Sequence, residues 1–144
     1  MELGKVVGHE PFVTQRRTLG EGDFSMLTNV SWTTGELHSY VGDSGEDQRW
    51  LALPCVAAVI VGLCAKHFTG WYLPNVLGIR VAESRELTII GHHQVQPGDT
   101  LQCEVRIVEA DSQTSIVRAE ERCHNQRGDL VAVVTQIWRV RPAG

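Results

Sequence analysis

The residues best suited to chemistry lie in one stretch, from Ser31 to Trp50, immediately before a long apolar segment. His38 is the centre of it. Imidazole is the side chain whose ordinary titration spans neutrality, so it serves as acid or base without special tuning. Glu36 lies two positions away, and Asp43, Glu46 and Asp47 follow on the same Gly- and Ser-rich stretch. A carboxylate folding back on the imidazole would orient it or share its proton. Thr33 can position a water or a substrate oxygen, and Trp32 and Trp50 can wall an apolar pocket. Each has a plainer reading. The histidine packs on the surface, the carboxylates are solvated charges, the Thr33 hydroxyl bonds nearby backbone, and the two tryptophans only pack.

These residues need something to be held against, and the following segment supplies it. Leu53 to Phe68 carries no charge between Cys55 and Ala65 and is apolar on every side. Such a helix is either a membrane span or the core of a domain. It falls short of the ~18 apolar residues that a span requires, so a buried core helix is expected. Pro54 suits its first turn, where a missing N–H costs nothing. The amides of Cys55 and Val56 are expected among the free donors of that turn. Gly70 and Pro74 are expected to end the helix. The Cys55 thiol at the helix start is a conceivable nucleophile, with His38 as the base in reach.

The other elements follow from pattern. Residues 1–16 read as a lead-in broken by Gly8 and Pro11. Thr18 and Glu21 have capping-box spacing, which predicts a short helix from about Leu19 to Val30 with Phe24, Met26 and Leu27 inward. After the apolar segment come strands: a short one over Val76 to Val81, then Arg85 to His93, Leu101 to Val108, Thr114 to Cys123 and Leu130 to Val140. Turns at Gln96-Pro97-Gly98-Asp99 and Asn125-Gln126-Arg127-Gly128-Asp129 separate them. Consecutive strands with short turns predict an antiparallel sheet. One buried helix and a twisted antiparallel sheet curled round it make an α+β plan.

Composition narrows the function. The 144 residues fit one domain, and 42% hydrophobic residues suffice for one core. A net charge of −4 with no basic run argues against a nucleic-acid surface. The N-terminus has no signal-peptide core, so a cytoplasmic protein is expected. The four cysteines (Cys55, Cys64, Cys103, Cys123) form no CxxC pair and read as reduced core residues. No cofactor is expected, nor a metal. His92 and His93 are adjacent on a strand and point to opposite faces, and His67 suits a helix C-terminus.

Several of these stretches together resemble the MaoC-like hydratases and dehydratases. Arg17-Thr18-Leu19-Gly20-Glu21-Gly22-Asp23 matches that family's "RTxTExD" opening. Leu37-His38 matches the end of its catalytic loop. Gln94-Val95-Gln96-Pro97-Gly98-Asp99-Thr100-Leu101 matches "PVxPGDTL", and Asn125 to Val131 matches "NQxGxxV". The order holds over roughly residues 16–140. The resemblance implies the hot-dog fold, a long helix wrapped by a curved antiparallel sheet, usually as a homodimer. It implies hydration or dehydration of an acyl thioester of coenzyme A or acyl carrier protein. In that family an Asp and a His before the helix handle the α-proton and the water, and a backbone N–H at the helix start receives the thioester oxygen. His38 matches the His, Thr33 stands in place of the Asp, and Pro54 or a neighbour stands at the family's helix-start Gly. The resemblance leaves two alternatives: a hot-dog thioesterase, and a catalytically impaired subunit or acyl-binding partner of an intact chain.

Overall fold

A computed structural model describes residues 2–31 and 49–144, with the side chains of Val30 and Ser31 excepted. Two short strands, β1 (Phe12–Val13) and β2 (Arg17–Thr18), lead into helix α1 (Glu21–Ser31). The central helix α2 covers Leu53–Asn75. Four long strands follow: β3 (Ile79–Gly91), β4 (Thr100–Asp111), β5 (Ile116–His124) and β6 (Leu130–Pro142). The sheet order is β1-β4-β5-β6-β3, with β2 also on β4. Every described pairing is antiparallel. The α+β arrangement of one helix against a curled antiparallel sheet is as expected.

Period-two alternation places the core. Leu101, Cys103, Val105 and Ile107 on β4, Val117, Ala119 and Cys123 on β5, and Val134, Trp138 and Val140 on β6 are all buried. They meet Cys55, Val56, Val59, Ile60, Cys64 and Phe68 on the inner face of α2.

Several expectations are corrected. Thr18 does not cap α1; it sits in β2, and its hydroxyl meets that of Thr100 at 2.7 Å. The helix starts instead with Asp23 reaching back to the Gly20 N–H at 3.0 Å, half of a capping box shifted along the chain. That N–H, and then the Arg17 guanidinium, hold the Asp23 carboxyl below its usual range. Met26 is 53% exposed, whereas Phe24 is buried, because 26 lies outside the helix stripe that contains 24. Val76–Val81 and Arg85–His93 are not two strands. A single strand, Ile79–Gly91, takes up most of both, with bulges absorbing the irregularity, while Val76 and the two histidines at 92 and 93 lie outside it.

Gly70 and Pro74 do not end α2. From Ala65 to Tyr72 the helix widens into π turns and then resumes, with the Leu73 N–H donating to Phe68 O, five residues back. A proline in α-register collides with the carbonyl four residues earlier; the wider turn accommodates its ring. At Gly70, a Cβ would lie 3.0 Å from the Ala65 carbonyl oxygen. The resulting 23-residue helix is long and apolar enough to cross a membrane by length and composition. Here its inner face packs on the sheet. His67 is therefore mid-helix, with a buried Nε2 that has no hydrogen-bond partner.

The lead-in is less irregular than its Gly8 and Pro11 suggest. His9 Nε2 accepts the Ile107 N–H at 3.0 Å while Nδ1 lies 2.7 Å from Glu10 O. Those partners fix the neutral tautomer with the proton on Nδ1. The ring stacks on Phe68 at 6.1 Å. His9→Phe keeps the ring and removes the acceptor, so chemical denaturation is expected to show a loss of about 1 kcal/mol. An unchanged midpoint would show that water replaces the imidazole.

Candidate functional site at the start of the central helix

Trp32, Thr33, Glu36, His38 and Asp43 lie outside the described residues, as do Glu46 and Asp47. Trp50, Pro54, Cys55 and Val56 are described. The anchors on either side of residues 32–48 are well defined. Before them, α1 packs on α2, with the Cys55 thiol donating to Leu27 O at 3.6 Å. After them, buried Arg49 forks onto both carboxylate oxygens of Glu21, Nη1 at 2.8 Å from Oε2. The Leu51 N–H then donates to Val95 O at 2.8 Å. Both ends of the segment are thus tied to α1, beside the first turn of α2. Arg49 was missed by the sequence reading. A lone arginine in a polar stretch reads as a solvated charge, and only burial marks it as a clamp.

The first turn of α2 differs from expectation. The amides of Cys55 and Val56 are not the open donors: both donate to Ala52 O, at 2.8 and 3.0 Å. The chain reverses tightly through Ala52, whose extended backbone caps the helix without a side-chain bond. Pro54 has no N–H. Among the described residues, the Leu53 N–H is the helical donor of this turn without a carbonyl partner. The turn itself contains no acidic residue, and its positive dipole end favours an oxygen gaining negative charge. The Cys55 thiol is buried and donates to α1.

Nor is α2 wrapped on every side. Leu53, Pro54, Ala58 and Gly62 are exposed on its outer face. With Ala57 and Val61 below and Leu87 and Ile89 of β3 opposite, they line an open apolar groove of about 690 Å³. It begins at Leu53, where the open donor lies, and runs along the helix. Leu53 also fixes the end of β3: a Cβ on Gly91 would sit 2.9 Å from Leu53 Cδ1. Trp50 is half-buried just before the turn. His92 and His93 stand apart. Both amides donate to Val131 O, and His93 Nε2 is 3.8 Å from Asp129.

A second polar group was also missed. Glu121 on β5 is fully buried, and its Oε1 accepts the Gln136 Nε2–H at 2.6 Å. Gln136 Oε1 in turn accepts the Trp138 indole N–H at 3.2 Å. Burial pushes the Glu121 carboxyl up to about 7, against the opposing pull of Gln136 and the Cys64 thiol. Parity along β5 carried this signal, since 121 shares the inward row with 117, 119 and 123.

No protein-family model and no curated protein matches the sequence. The architecture does match solved structures. A MaoC-like dehydratase from Rhodospirillum rubrum is similar with a TM-score of 0.66 and 19% identity, covering 94% of each chain. An (R)-hydratase from Pseudomonas aeruginosa gives 0.65 and 18%, covering 94% of this chain and 82% of that one. A Thermus thermophilus protein described as a thioesterase superfamily member gives 0.57 and 14%, covering 93% and 84%. These likenesses give the chain the hot-dog fold.

Proposed function

We propose that this hot-dog-fold chain binds an acyl thioester and catalyses hydration of its enoyl form, or the reverse dehydration. The carrying observation is the apolar groove that starts at the open Leu53 N–H. The thioester carbonyl would sit at that N–H, with the acyl chain along Ala58, Val61 and Leu87. The amide and the helix dipole favour the oxygen as it turns enolate-like. The proton chemistry falls to His38, in the segment that leads into buried Arg49 and the central helix. In hydration, His38 takes a proton from water as the oxygen adds to the β-carbon. His38 then returns that proton to the α-carbon, so one water adds across the double bond and the imidazole is regenerated. Glu36 or Asp43 orients the imidazole in place of the family's carboxylate. Thr33 holds the water, and Trp32 and Trp50 close the pocket. A hydroxyl at 33 is no base near neutrality, so this carboxylate is needed.

The working form in this reading is a homodimer. β3 forms a sheet edge, exposed over most of its length, with Leu87 and Ile90 47% and 59% exposed. Edge strands of this kind favour pairing with another chain, and a second copy would close the groove's open side.

Incubation with a crotonyl thioester, following enoyl absorbance and free thiol together, tests this reading. Loss of the enoyl signal is expected, with no thiol released. Thiol release would instead mark a thioesterase. Neither signal would identify an acyl-binding or partner subunit, a reading that the threonine at 33 and the proline at 54 favour. For the active case, His38→Ala is expected to lower turnover by about 10²–10⁴-fold. A variant as active as the parent would remove His38 from the site.

A further inference from the structure

Three of the four cysteines meet beneath α2, on the side of the helix away from the groove. Cys64 descends from the helix, and Cys103 and Cys123 rise from β4 and β5. They are 1%, 1% and 0% exposed. Cys103 and Cys123 are direct cross-strand partners. The Cys103 carbonyl accepts the Thr14 N–H at 2.9 Å, and the Cys103 N–H donates to Thr14 Oγ1 at 3.0 Å. Both backbone groups thus face away from β5. Cys103 and Cys123 are therefore a non-hydrogen-bonded pair, the kind whose Cα atoms approach to about 4.5 Å. That lies within the span a disulfide bridges, about 4.4–6.8 Å. The Cys103 thiol interacts with both other thiols, and that of Cys64 also with Glu121.

Among the described residues, Cys64 lines a pocket. This small pocket of about 140 Å³, lined also by Val61, Thr69, Ser84, Gln136 and Trp138, reaches Cys64 between α2 and the strands β3 and β6. Cys103 and Cys123 do not line it. Cys103 also borders a separate pocket beside Gln102 and Glu104, but its side chain belongs to the buried row of β4, so the Cys64 pocket is the approach on the side where the thiols meet. Beside them, Glu121 Oε2 is buried with no hydrogen-bond partner.

We propose that Cys64, Cys103 and Cys123 form an oxidation site in which a hydroperoxide reaching Cys64 ends as a Cys103–Cys123 disulfide across the sheet. Cys64 sulfur attacks the peroxide O–O bond. One oxygen stays as the sulfenic acid. The other leaves as water in the case of hydrogen peroxide, carrying the thiol proton. Cys103 sulfur then displaces water from the sulfenic acid and forms a Cys64–Cys103 disulfide. Cys123 attacks Cys103 sulfur and returns Cys64 as a thiol. The two sheet thiols lose two hydrogens between them, and the peroxide is reduced to two waters. The product ties β4 to β5 beneath the central helix.

The test treats the native, fully reduced protein with hydrogen peroxide, blocks remaining thiols, and maps tryptic peptides. Arg106, Arg118 and Arg122 separate Cys103 from Cys123, so their linkage is read directly. The expected result is a Cys103–Cys123 linked pair with Cys64 blocked as a free thiol. Cys64→Ser is expected to slow closure at least about tenfold, because the accessible thiol is gone. Stable sulfinic acid at Cys64 with no link would overturn the proposal, as would no reaction short of unfolding. Closure at the parental rate in Cys64→Ser would overturn the relay. If that variant does not fold, trapping Cys64 sulfenic acid with dimedone early in the wild-type reaction decides the same point.

Discussion

Glu121→Gln is expected to stabilise the protein at pH 8 and to leave it nearly unchanged at pH 5. The physical basis is linkage. The Glu121 carboxyl is fully buried, and its titration moves from 4.5 up to about 7 in the native state, chiefly through burial. Below about pH 4.5 both folded and unfolded chains hold the proton, and the group contributes no pH dependence. Between about 4.5 and 7 the folded chain keeps a proton that the unfolded chain releases, so stability falls as pH rises. Above about 7 the loss is complete, at an upper figure of about 3 kcal/mol. The surroundings do not offset it. Cys64, Cys103 and Cys123 are themselves pushed towards the neutral thiol, and among the described residues no cation is hydrogen-bonded to the carboxyl. Glutamine reproduces the protonated acid, accepting from Gln136 and donating towards Cys64, and cannot ionise. Urea unfolding of parent and variant at both pH values is the measurement. Equal differences at pH 5 and 8 would show that the carboxyl is already ionised inside the fold.

Phe68→Ala is expected to cost about 3–5 kcal/mol, the range for removing a buried aromatic ring without collapse of the site. Phe68 is fully buried in the π segment of α2. Its ring meets Phe12 at 5.5 Å, Tyr72 at 5.7 Å, Trp138 at 6.5 Å and His9 at 6.1 Å. Those partners come from the lead-in, the helix and the last strand. The cavity would border all three, and no single one can close it. A loss below about 1 kcal/mol by chemical denaturation would mean that the lead-in collapses into the space. The same substitution bears on the site only indirectly, since Leu53 lies at the other end of α2.

Much of the fold was legible because it rests on local rules. Alternation along 101–108 set one strand and its inward row, and the Val-rich run over 130–140 set another. The Asn-Gln-Arg-Gly turn set the hairpin between β5 and β6, and the Pro-Gly turn marked the connection from β3 to β4, which are not neighbours in the sheet. The uncharged run after Pro54 announced the central helix. Failures came where a local rule met a tertiary demand. Gly70 and Pro74 are stop signals in isolation, but burial of Phe68 and Leu73 carries the helix past them through wider turns. Thr18 had capping-box spacing, yet β4 claimed it as a strand residue. Met26 was assigned inward from hydrophobicity alone, against its helical position.

At the start of the central helix the division is sharper. The sequence by itself determined the candidate chemistry: a histidine and carboxylates ahead of an apolar helix, a threonine at 33 and a proline at 54. Residue identity sets what can take a proton and which position lacks an N–H. Only the tertiary structure decided which amide of the turn stays open, because Ala52 O draws those of Cys55 and Val56 and leaves Leu53. It alone showed that one face of α2 is uncovered, since helix pattern reports how apolar a face is and not what lies against it. The same reason applies to Arg49, Glu121 and the three thiols. Their partners are distant in sequence, and burial and proximity arise only when the sheet curls around the helix.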